Sequence, residues 1–161
     1  IDPTPVLPPV AHPALNDTIT LNPDEVDDAR LQRRLADSLQ QLCRTLRSQR
    51  RICGGLSLTL RYSDQREVTT KARVIPETCW EIDLSGLLQG LFQRAFRRRI
   101  RLRMMTVTLT DLTGFAEQGS LFEERPPEKQ WARNRSQRLA VALDHLHQRF
   151  GEQAIRYGRT Q

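Results

Sequence analysis

Leucines recur at three- and four-residue spacing through Leu31, Leu35, Leu39, Leu42 and Leu46, the period of one buried face on an α-helix of about six turns. A start signal precedes them. Asn22 suits the cap, Pro23 the first helical position, and Glu25 lies three residues after the cap, with Asp24, Asp27 and Asp28 near the positive helix end. Before this helix, DTITL (17–21) places Ile19 and Leu21 on one side and Thr18 and Thr20 on the other, as a short strand does. Gly54-Gly55 closes the connection after it.

Period-two alternation then takes over. Leu56, Leu58, Leu60 and Tyr62 alternate with Ser57, Thr59, Arg61 and Ser63. Past a turn near Asp64-Gln65, Val68, Thr70, Ala72 and Val74 alternate with Glu67, Thr69, Lys71 and Arg73. Two such runs around a short polar turn predict a hairpin with one buried face. A second helix is expected over 80–96, with Leu84, Leu87, Leu88, Leu91, Phe92 and Ala95 inward, and a last strand in IRLRMMTVTLTDL (100–112). In that strand Ile100, Leu102 and Met104 alternate with Arg99, Arg101 and Arg103, which would project three arginines from one face about 6.6 Å apart. From Met105 the phase reverses, predicting a β-bulge.

The order β-α-β-β-α-β predicts an α+β fold: a four-stranded sheet in a ferredoxin-like arrangement, both helices on one face because each has a single apolar stripe. Residues 136–150 add a C-terminal helix with Leu139, Leu143, Leu146 and Phe150 as its stripe and Gly151 as its stop. The uncovered sheet face would carry Ser57, Thr59, Arg61, Thr69, Lys71, Arg73, Arg99, Arg101 and Arg103. These are hydroxyls and cations with scarcely an acid among them.

Charge sharpens that picture. RAFRRRIRLR (94–103) holds six arginines in ten positions, and of 25 basic residues against 19 acidic ones 23 are arginine, for a net charge of +6 and a pI near 10.0. Arginine's rigid fork matches phosphate oxygens in pairs, so the bias favours phosphate contact over mere solubility. Arg94, Arg97 and Arg98 also suit the negative end of the preceding helix. With 161 residues, 38% of them hydrophobic, and no apolar run near 18, the chain suits one domain with appendages and no membrane span. Residues 1–16 carry five of the nine prolines and no secretory pattern, and read as a linker from something longer. Cys43, Cys53 and Cys79 are odd in number without CxxC spacing, and His12, His145 and His147 form no ligand set, so neither a disulfide framework nor a metal site is expected.

Four stretches resemble the little-finger domain of the Y-family translesion DNA polymerases, the group of DNA polymerase IV and the UmuC-like proteins. LTLRYSD (58–64) is similar to that family's second strand and turn, and LRMMTVTLTDL (102–112) to its last strand. QGSLF (118–122) resembles the bacterial sliding-clamp-binding peptide, and RLAVALDHLHQRFGEQAIRYG (138–158) the helix and FG turn that follow it. The likeness covers about residues 3–158. Gln65 departs where an aromatic residue is common, Thr106 where glycine is, and Gly119 where leucine is frequent.

The resemblance implies several things. Residues 1–16 would tether a thumb domain, 17–112 form the DNA-binding little finger, 113–135 a tail with the clamp peptide, and 136–161 a C-terminal helix and turn. Partners would be primer-template DNA, the sliding clamp, through Gln118, Ser120, Leu121 and Phe122, and the polymerase's own core domains. Nucleotidyl transfer, with its magnesium ions, would belong to a palm domain preceding residue 1; this chain alone would be no enzyme and would need no cofactor. Such a protein would be cytoplasmic, bacterial and nucleoid-associated, acting in DNA repair and the SOS response. Two other classes compete. An RNA-binding module shares the strand order but needs aromatic residues on the open face, and a small enzyme needs a nucleophile with a base nearby.

Overall fold

The computed structural model describes residues 13–114 and 127–151. The chain divides into two units, Ile1–Phe115 and Ala116–Gln161. In the first, elements run β1 (Leu15–Glu25), α1 (Asp28–Ser48), β2 (Arg51–Tyr62), β3 (Glu67–Thr78), α2 (Glu81–Ala95) and β4 (Leu102–Gly114). The strands form one antiparallel sheet of order β1-β4-β2-β3. The expected α+β arrangement is the one observed.

The helices cover the face carrying Leu56, Leu58, Leu60 and Tyr62 from β2 and Met105, Val107 and Leu109 from β4, all with exposure of 1% or less. Against these pack the α1 stripe, Leu31, Leu35, Leu39, Leu42 and Leu46, and Leu84, Leu88, Leu91, Phe92 and Ala95 of α2. Leu87, expected inward, is exposed at the edge of α2. Val68 and Ala72 on the edge strand β3 are half-covered, and the Thr70 hydroxyl, facing the helices between them, donates to the Leu91 carbonyl at 3.2 Å. One polar clamp joins the helices: Arg47 at the end of α1 donates to both Glu81 oxygens at 2.9 and 3.0 Å and to the Cys79 carbonyl at 3.1 Å, and lies over the Trp80 ring. This bidentate, half-buried pairing ties the end of one helix to the start of the other.

Two expectations move. The first helix begins at Asp28, not after Asn22, because Asp27 is its cap: its carboxylate accepts from the N–H groups of Ala29 and Arg30. Residues 22–25 instead extend β1, and the Glu25 carboxylate accepts from the N–H groups of Asp27 and Val26, which hold its pKa below the ordinary value. Gly54 and Gly55 lie inside β2, not in a connection. A methyl group on Gly55 would collide with Thr110 Oγ1, and one on Gly54 would stand 3.3 Å from Asp111 Cβ and from Glu77 Oε1. The glycines therefore permit close strand approach. The expected bulge is present, with register shifting between Arg61↔Met104 and Tyr62↔Leu102, so that Arg103 is the extra residue.

Cys43, Cys53 and Cys79 are free and buried together in the core. Burial pushes all three thiols up, Cys53 to about 12, and the Cys53 Sγ donates to the Thr78 carbonyl.

In the second unit, α3 spans Pro127–Phe150, nine residues longer at its start than expected, with proline at the position where a helix needs no N–H. Leu139, Leu146 and Phe150 are exposed and Leu143 is half-buried. Gly151 ends the helix at φ +86°, its N–H donating to the His147 carbonyl, as a C-terminal glycine does.

Candidate nucleic-acid interface

Strand register places the residues of the face opposite α1 and α2 in rows. The pairs Thr18↔Thr106, Thr106↔Thr59 and Thr59↔Thr69 make one row of four threonines across the whole sheet. Two hydroxyl contacts tie it, Thr18 to Thr106 at 3.2 Å and Thr59 to Thr69 at 2.9 Å. Toward the Gly55 end the next row is Asn16, Thr108, Ser57 and Lys71, and beyond it Thr110, Gly55 and Arg73. On the opposite side stand Thr20, Met104, Arg61 and Glu67. Rows are about 6.6 Å apart and strands about 4.8 Å apart, so the face offers a grid of donors with small side chains at its centre. No aromatic residue stands in these rows.

Ser57, Thr59, Arg61, Thr69, Lys71 and Arg73 are thus brought together as expected. Glu67 joins them, directly across from Arg61, which corrects the expectation of a face nearly free of acid. Arg61 Nε lies 3.1 Å from Glu67 Oε1, an ion pair set off the angle of a hydrogen bond.

Arg99 and Arg101 are not on a strand, and the expected row of three arginines is absent. β4 begins at Leu102, and residues 96–101 form the turn that carries the chain from the helix layer to the sheet. Apolar side chains dictate this. Phe96 stacks on Phe92 at 5.1 Å and on Tyr62 at 6.4 Å, and Ile100 packs against the core, so Ile100 is an anchor of the turn and not the first residue of a strand. The turn is pinned to the β2–β3 hairpin end: the Tyr62 hydroxyl donates to the Ala95 carbonyl at 2.8 Å, Ser63 N–H to the Arg101 carbonyl at 2.9 Å, and Arg98 pairs with Asp64 at 3.3 Å. Arg103, at the bulge, is exposed and pairs with Asp24 at 3.5 Å.

Lys71, Arg73, Arg97, Arg99 and Arg101 are exposed and make no ion pair with another described residue. Beside the sheet face they have charge left to offer a ligand. Sequence reasoning missed Asn16, Thr18, Thr20, Thr106, Thr108 and Thr110 as members of the face. The signal was present, since a phase reversal at Met105 turns 106, 108 and 110 outward. Gln118, Ser120, Leu121 and Phe122 lie outside the described residues, as do residues 1–12 of the expected linker and the turn after Gly151. Among the described residues no three His, Cys, Asp or Glu are placed to hold a metal ion, and no helix is long and apolar enough to cross a membrane.

The family model described as the impB/mucB/samB family C-terminal domain matches residues 17–121. Among solved structures the chain is similar to a Y-family DNA polymerase chimera of Dbh and Dpo4, with a TM-score of 0.54 and 11% identity over 63% of this chain and 29% of that one. It is similar to Dbh DNA polymerase in an insertion ternary complex, at 0.52 and 12% over 64% and 29%, and to DinB from Sulfolobus solfataricus, at 0.51 and 11% over 60% and 28%. At these identities the likeness is one of fold. The chain spans less than a third of the length of those polymerases. No curated protein matches the chain.

Proposed function

Since the chain belongs to the impB/mucB/samB C-terminal domain family, we propose that it is the sequence-independent DNA-binding little finger of a Y-family translesion polymerase and that its open sheet face lies along primer-template phosphates. The observation that carries this reading is the grid of hydroxyls flanked by exposed cations on the sheet face opposite α1 and α2. Serine, threonine, lysine and arginine are the side chains that hold phosphate oxygens, and such contacts position a duplex without reading its bases. β1 and β3 are edge strands, so alternate backbone N–H groups along each point away from the sheet and add donors at its margins.

The arginine turn supplies further charge beside the sheet. Its guanidinium groups Arg97, Arg99 and Arg101 stand on backbone already fixed by Tyr62, Phe96 and Ser63, which lowers the ordering cost of contact. If about four to six phosphates are neutralised, log Kd against log salt changes with a slope of magnitude roughly 4 to 5. Fluorescence anisotropy with a short duplex, titrated over salt, measures it; affinity that stays flat between low and moderate salt overturns the reading. RNA recognition of the usual kind lacks its stacking groups on this face, and the same assay with RNA and single strands should show no preference for either.

Nucleotidyl transfer would belong to other domains of the polymerase, so the isolated chain should incorporate no nucleotide. The peptide after β4 would tether the polymerase to the bacterial sliding clamp, Leu121 and Phe122 filling an apolar pocket and Gln118 and Ser120 bonding at its rim. Unchanged clamp binding after Leu121→Ala with Phe122→Ala would remove that role. Through DNA and clamp the protein would act on the nucleoid, in repair.

A further inference from the structure

We propose that the cations of the open face do not grip alike: Lys71 and Arg73 are free to hold phosphate, whereas Glu67 restrains Arg61. The inference rests on the reading of this face as a DNA-phosphate surface. Lys71 and Arg73 stand exposed on β3, without a carboxylate partner among the described residues, in rows otherwise made of hydroxyls, an amide and bare glycine. At the other end of the same strand pair the register sets Arg61 opposite Glu67, with Nε and Oε1 3.1 Å apart and the two side chains 41% and 53% exposed.

A phosphate approaching Arg61 therefore meets a carboxylate that already supplies the counter-charge. It must displace Glu67 or sit beside it, and either way fewer counterions are released than at a free cation. The restraint is soft, because an exposed pair of this kind is weakly held. It is also not isolated. Arg103 with Asp24 and Arg98 with Asp64 repeat the arrangement where β2 meets its turn, whereas Asp111 and Glu77, beside Gly54 and Gly55 at the other end, make no ion pair with Lys71 or Arg73.

The test measures duplex affinity against salt for the wild-type chain, Glu67→Gln, Arg61→Gln, the double variant, and Lys71→Gln with Arg73→Gln. Glu67→Gln should tighten binding roughly two- to fivefold at about 0.1 M salt, the range of a surface ion pair, and steepen the salt slope by about 0.9. That gain should vanish when Arg61 is also glutamine. Losing Lys71 and Arg73 together should flatten the slope by about 1.8. Unchanged or weaker binding by Glu67→Gln overturns the proposal, as does a gain that survives in the Arg61→Gln background. Wild-type binding that ignores salt sinks the phosphate reading and this inference with it; a normal wild-type slope with an inert Glu67→Gln sinks only the restraint on Arg61.

Discussion

Replacing Tyr62 with phenylalanine removes one oxygen from a side chain that has no exposed surface. The ring remains, with its stack on Phe96 at 6.4 Å, so the packing loss is small. What goes is the hydroxyl's hydrogen bond to the Ala95 carbonyl at 2.8 Å, and with it the partner of a carbonyl in the last turn of α2. A buried hydrogen bond contributes a net of about 1 kcal/mol, and orphaning its acceptor adds desolvation, so the substitution should cost about 1–2 kcal/mol. For a unit near 100 residues that lowers Tm by roughly 5–10 °C. Thermal unfolding followed by far-ultraviolet circular dichroism reads the shift. The same bond pins the start of the arginine turn, so affinity for duplex DNA should weaken as well, while Tyr62→Leu, which also loses the stack, should cost more on both counts. A Tyr62→Phe variant that melts with the wild type would show that the hydroxyl neither holds α2 nor fixes the turn.

Two further outcomes follow from the packing. Gly55→Ala drives a methyl group into Thr110 Oγ1 and to 3.0 Å from Asp111 Oδ2, in a central strand with little room to shift; urea unfolding should show a loss of about 1–3 kcal/mol. Adding Thr110→Ala, which deletes the obstructing hydroxyl, should restore most of it, and absence of rescue would refute the clash. The three thiols should resist a thiol reagent in native buffer and react on unfolding, because burial raises their pKa values, that of Cys53 to about 12 against an ordinary 9.0. A raised folded value means stability that is complete below about pH 9 and declines as pH climbs toward 12, since only the unfolded thiols ionise in that window. Urea midpoints taken across that range test the sign, and rapid native labelling would contradict the burial.

Much of this architecture was legible because single patterns had single causes. The α1 leucines and the β2 alternation each face one neighbour, and period alone places them. The arginine run was misread for the opposite reason. Ile100 and Leu102 both carry apolar side chains two apart, as a strand would, yet Ile100 is half-buried in a turn whose Phe96 stacks on Tyr62, far away in the chain. Local spacing contains no record of that contact. At the start of α1 the cap is Asp27 and not Asn22, because residues 22–25 extend a strand whose Glu25 registers with Leu102 on β4. Glu67 was visible as outward-facing, but its pairing with Arg61 depends on hairpin register, which period alone leaves open.

β1 and β4, the first and last strands of the sheet unit, are neighbours running in opposite directions, and Leu15 lies across from Leu109. Their outer ends therefore leave the sheet on the same side. Tension applied between whatever precedes β1 and whatever follows β4 would load the rungs of that ladder one after another, like a zip, instead of shearing them all at once. A tug along the chain, as when one neighbour is held fast and the other is drawn away, should thus peel β1 off at low force while the β2–β3 hairpin stays intact.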